Sequence, residues 1–162
     1  MGVVLSCAVE QDVTLTLGAG GDAYVLSAYA PDTLGQGDAW SGAWWNALTL
    51  PAFGVRYTYA PPSAVIPGQV LLAATVEQST IPVRVVVAAS SAALLEVAKA
   101  DLAAALARWR YPVTIAHGAQ ELGTWAAAPT LPLWDDPMSP ERSATFTAGA
   151  TLSIPVQPTG GV

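Results

Sequence analysis

The stretch STIPVRVVVAASSAALLEVAKADLAAALARWRYPVTI, residues 79–115, sets the one convincing helix of the chain between two strand-like segments. TIPVRVVVAA is rich in β-branched residues and reads as a strand. Ser90 or Ser91 then offers an N-cap. Leu95, Ala98, Leu102, Leu106 and Trp109 recur at steps of three and four, which makes one apolar stripe and assigns Trp109 to the core. Arg108 and Arg110 suit the negative end of a helix dipole, and Pro112 forbids further turns, so the helix is predicted over about 91–109. A strand feeding a helix is how many nucleotide sites begin. That chemistry needs glycines at the junction, so that the backbone can approach a pyrophosphate. VVVAASSAALL has none. The unit reads as scaffold, and no cofactor is expected.

Outward from this unit the chain is a series of short strands. DVTLTL puts Val13, Leu15 and Leu17 on one face, and GAGGD then turns the chain into AYVLSAY, a hairpin signal. FGVRYTY alternates strictly, with Phe53, Val55, Tyr57 and Tyr59 on one face. QVLLAATVEQ is expected to pair with TIPVRVVVAA, in which Pro82 implies a strand edge or a bulge. VTI, ELGTW and TFTAGATLSIPV are the last strands, and 31–42, 60–68 and 129–140 read as long loops. The fold class is α+β, mainly β: a β-sandwich or barrel-like sheet system with a single helix packed across it. One domain covers 1–156, followed by a loose tail over 157–162.

Composition narrows the function. Of 162 residues 52% are hydrophobic and only 11% are charged, against roughly 25% charged in an average soluble domain. Either a membrane or neighbouring subunits must hide surface. A spanning helix needs about 20 predominantly apolar residues, and the best segment carries Glu96, Lys99 and Asp101 in its middle. MGVVLSCAVEQD lacks the basic start of a secretion signal, and Cys7 in VLSC has too short a leader for a lipid attachment box. No membrane span is expected, and subunit burial remains. A net charge of −6 argues against nucleic acid, and a single cysteine excludes an internal disulfide.

Catalytic constellations are thin. GAGGD lacks the Gly-Lys-Ser/Thr ending of a phosphate loop, and His117, the only histidine, precedes a glycine and reads as a surface residue beside a turn. Asp135, Asp136 and Glu141 do not alternate as calcium ligands do, and read as a solvated acidic loop with Arg142 as partner. No enzyme and no metal site are expected. Six tryptophans carry more information. Trp40, Trp44 and Trp45 in DAWSGAWWNALTLP read as interface or core anchors, with Trp134 in the 129–140 loop as a further interface residue. The alternative is a carbohydrate-binding module that stacks sugars on exposed tryptophans.

The order IPVRVVV, a Ser-Ser turn, an Ala/Leu-rich helix and then PVTI resembles the distal tail protein family of long-tailed bacteriophages and related minor tail proteins. The resemblance covers residues 70–126, and LPLWDDPMSPERSATFTAGATLSIPV is similar to the segment in which such proteins return to the sheet. It implies a β-sandwich-like domain with one helix and no catalytic residues. It also implies a structural virion protein, assembled in the host cytoplasm, whose partners are itself and other tail proteins. Such a subunit forms a ring, a homo-hexamer, that joins the tail tube to the tail tip or baseplate.

Overall fold

A computed structural model describes residues 13–28, 30, 35–60, 68, 71–135 and 146–159. Its strands are β1 (Val13–Leu17), β2 (Tyr24–Ser27), β3 (Ser41–Leu48), β4 (Val55–Tyr59), β5 (Leu71–Val76), β6 (Ser79–Ala89), β7 (Tyr111–His117), β8 (Gln120–Ala127), β9 (Leu133–Trp134) and β10 (Phe146–Pro158). The helix α1 (Ala92–Leu106) lies between β6 and β7. The chain is thus mainly β with one helix among the described residues. Cys7, Asp136, Glu141 and Arg142 lie outside them.

Seven strands close a barrel in the order β6-β3-β2-β1-β7-β8-β10, and β10 returns to β6. Closure rests on β10, which pairs with the whole of β6 from Phe146 opposite Ala89 to Val156 opposite Ser79. Its other edge carries β8 near the C-terminal end and the short β9 beside Ala150 and Thr151. Closure pairs the end strands of the barrel with each other, while β4 and β5 form a separate two-stranded sheet. The period-2 patterns point inward as written: Leu15, Val85, Ile115 and Ile154 are fully buried, while their strand neighbours face outward. Leu102, Ala105 and Leu106 of α1 join the same apolar cluster, so barrel and helix share one core.

The helix begins as read. Ser91 is the N-cap, and its Oγ accepts a hydrogen bond from Leu94 N at 3.2 Å. Ser90 does something else: its Oγ accepts from Trp40 N at 3.1 Å, and its own N donates to Trp40 O at 2.9 Å. The end of the helix differs from the expectation of about 109. The last intrahelical bond runs from Ala107 N to Ala103 O, and Arg110 then takes a left-handed φ of 50°. That turn swings Trp109 off the helical stripe. It is not a core residue but is 81% exposed.

Pairing also departs from the sequence reading in two places. β5 pairs with β4 and not with β6, because both edges of β6 are taken by β3 and β10. Pro82 therefore sits in an interior strand. Its carbonyl accepts from Thr49 N, just past the end of β3, so its missing N–H faces a place where the ladder has stopped. The predicted GAGGD hairpin is present: β1 and β2 are antiparallel, joined through a 3-10 turn at Gly20–Asp22. The expected loose tail is corrected as well. Gln157 and Pro158 belong to β10, opposite Ala126 and Trp125, and Thr159 Oγ1 donates to Thr124 O at 2.9 Å. Residues 160–162 lie outside the described residues.

Candidate functional site

The register collects one barrel end: the start of β6 at Ser79, the start of β7 at Tyr111, the end of β8 at Ala127 and the end of β10 at Pro158. The chain leaves the barrel at this end after Leu48 and returns at Ser79, and between them β4 and β5 pair only with each other. They form an arm. Its root is fastened by Glu77 N donating to Gly54 O at 2.9 Å and by Ser79 Oγ donating to Ala52 O at 2.8 Å.

The arm is two-faced. Val55 stands opposite Val76 and Tyr57 opposite Ala74, so these four share one face, and Tyr59 follows Tyr57 by two on β4; a bulge then shifts the register, so that Tyr59 stands opposite Leu71. Arg56 opposite Thr75 and Thr58 opposite Ala73 make the other. The Tyr57 and Tyr59 rings lie side by side with centroids 6.3 Å apart. Every residue of β4 and β5 is exposed, Tyr57 at 54%. Strict alternation in FGVRYTY was legible in the sequence. That its apolar side faces outward was not, because alternation fixes which residues share a face and not what lies against that face.

Beside the arm root, at the same barrel end, is an open cavity of about 300 Å³. It is lined by the Ala126–Pro129 segment and by Gln78, Trp109, Arg110 and Gln157. The side chains of those four make no hydrogen bond or ion pair among the described residues. A second cavity of about 240 Å³ lies beside Asn46, Arg84 and Asp135, whose opposite charges pair with each other.

The tryptophans singled out from sequence are dispersed. Trp44 and Trp45 are not in a loop but in β3, as neighbours on opposite faces. Trp45 is 1% exposed and belongs to the barrel core, so it is corrected from interface to core residue. Its Nε1 has no hydrogen-bond partner among the described residues. Trp44 is half-buried at the single parallel pairing of β2 with β3, opposite Ser27. Trp40 is half-buried and held through its backbone by Ser90. Trp134, on β9, packs partly against the core with Lys99 Nζ 5.1 Å from its ring centroid, a cation–π contact. Only Trp109, which the helical stripe had assigned to the core, presents its ring broadly to solvent.

Burial pushes the Tyr111 hydroxyl up to about 12, with Arg108 opposing, and burial together with the charge of Asp101 raises Tyr24. His117 is half-buried at the end of β7, before a turn in which Gly118 takes a φ of 58°. Asp135 is bound to Arg84. Among the described residues no three His, Cys, Asp or Glu side chains gather as a metal set, and no helix is long and apolar enough to cross a membrane. The chain matches no protein-family model and no curated protein sequence.

Proposed function

We propose that the chain is a structural subunit of a phage tail, of distal-tail or minor-tail type. In this reading it assembles with copies of itself into a ring and joins the tail tube to the tip or baseplate. It has no catalytic task. The observation that carries the proposal is the apolar face of the β4–β5 arm. An isolated two-stranded hairpin is marginal in water at best, and this one holds Val55, Tyr57, Tyr59, Leu71 and Val76 in solvent. Such a face gains stability only when a neighbour covers it, at about 25 cal/mol per Å² of apolar surface buried. The low charge of the chain supports the same conclusion, since obligate interfaces are large and apolar. An arm that docks on a different surface of the next copy makes a heterologous contact, and such contacts close into rings when the rotation permits. Half-buried Trp40, Trp44 and Trp134 supply further contact area in this reading.

The test is mass photometry on the purified protein, alone and with the other tail proteins of its phage. Assembly is expected, and Tyr57→Ser with Tyr59→Ser should abolish it while leaving thermal unfolding of the single chain intact. A protein that stays monomeric at micromolar concentration, even with its tail partners present, would sink the reading.

A further inference from the structure

We propose that the cavity between Trp109, Arg110, Gln78 and Gln157 is a binding site for an acidic saccharide, one that carries a hexuronic acid unit. Trp109 keeps an open aromatic face at 81% exposure, and the Arg110 guanidinium beside it has no carboxylate partner among the described residues. Arg110 also holds a left-handed φ of 50°, a conformation that disfavours any side chain with a Cβ. Residues held in this way gather at ligand sites, where the strain positions a side chain. Here Trp109 and Arg110, adjacent in sequence, both line the cavity.

The chemistry of the walls selects the ligand. Each glutamine amide is both donor and acceptor, which matches a hydroxyl that is itself both. An indole face takes the apolar side of a pyranose ring. The guanidinium is a planar fork suited to a carboxylate, and among the described residues it is the one charged group lining the cavity. Nucleic acid is disfavoured by a net charge of −6. An extended peptide would look for a free strand edge, yet Ala126 and Gln157 on the lining strands are already paired with each other. A cavity of about 300 Å³ stands at the small end of ligand sites and suits one or two rings.

Calorimetric titration with a galacturonic acid tetramer, and with its methyl-esterified form as the uncharged counterpart, tests the site. The acid tetramer is expected to bind, and the ester to bind at least roughly tenfold more weakly, as loss of a charged hydrogen bond implies. Trp109→Ala and Arg110→Gly should each weaken the acid by a similar factor. Both variants keep the fold, since Trp109 is exposed and glycine accepts the backbone of Arg110. The Tyr57→Ser, Tyr59→Ser arm variant should retain the affinity, which separates this site from the assembly surface. No binding of the acid at millimolar concentration, equal binding of the ester, or unchanged affinity in Trp109→Ala would each overturn the proposal. So would loss of binding in the arm variant, which would give the cavity to the contact between copies.

Discussion

Arg84 of β6 reaches over the outer face of β10 and grips Asp135, which follows β9. One guanidinium nitrogen donates to Oδ1 at 3.2 Å and to Thr151 Oγ1 at 3.1 Å, and the other bonds Oδ2. Gly149 lies beneath the pair, where a Cβ would collide with the Asp135 carboxylate. The bidentate geometry looks strong, but both side chains are more than a third exposed, and water screens such pairs. A double-mutant cycle with Arg84→Ala and Asp135→Ala should give a coupling below about 1 kcal/mol by urea unfolding. A coupling well above that would contradict a solvent-screened pair.

Adjacent serines at the strand–helix junction should separate cleanly. Ser91→Ala removes the N-cap bond to Leu94 N and should destabilise the chain by about 1 kcal/mol. Ser90→Ala leaves the helix start alone but frees the backbone of Trp40, whose carbonyl still accepts from the amide at position 90. Its cost should be smaller, about 0.5 kcal/mol, and hydrogen exchange should rise at Trp40 rather than at Leu94. Equal effects of the two variants, read by denaturant midpoints, would contradict this division of labour.

Strand alternation and the serine cap could be read directly, because both depend on near neighbours in sequence. Val13, Leu15 and Leu17 point inward whatever strands lie beside them. Pairing depends on long-range closure, which local pattern does not encode. β5 follows a short link to β6 and looks like its partner, yet β10, which starts more than fifty residues after β6 ends, takes that edge. Trp109 shows the opposite failure. It fits the helical period perfectly well, but the helix stops at Leu106 and Arg110 turns left-handed, a backbone event that periodicity does not register. The candidate cavity was illegible for the same reason: Gln78, Trp109 and Gln157 meet only through barrel closure.

Tyr111 should make the protein sensitive to alkali. Its hydroxyl is buried without a hydrogen-bond partner among the described residues, and burial raises it from 10.0 to about 12. Above pH 10 the unfolded chain releases this proton while the native state still holds it. Unfolding is then favoured as pH rises, and the group's contribution to stability is lost between pH 10 and about 12. Tyr111→Phe removes both the titration and the unpaired hydroxyl. It should be at least as stable at pH 8, and its stability should fall less steeply above pH 10, as followed by circular dichroism in urea. A steeper alkaline loss in the variant would contradict the assignment.

Buried and exposed aromatics should answer mutation in opposite ways, and Trp45 against the arm tyrosines is the sharpest comparison. Trp45 fills the barrel interior, so Trp45→Ala should cost about 3–5 kcal/mol through lost burial and the cavity left behind. Trp45→Phe should cost much less. It keeps an aromatic ring in place and also deletes the indole N–H that has no partner among the described residues, a group whose burial costs about 1–3 kcal/mol. Tyr57→Ser with Tyr59→Ser changes only exposed side chains, so thermal unfolding of the monomer should barely move. Assembly should instead be lost, because the apolar face of the arm is what a neighbour would cover. A large drop in monomer stability on changing the tyrosines would mean that the arm is already packed within its own chain, and the case for a ring contact through it would fail.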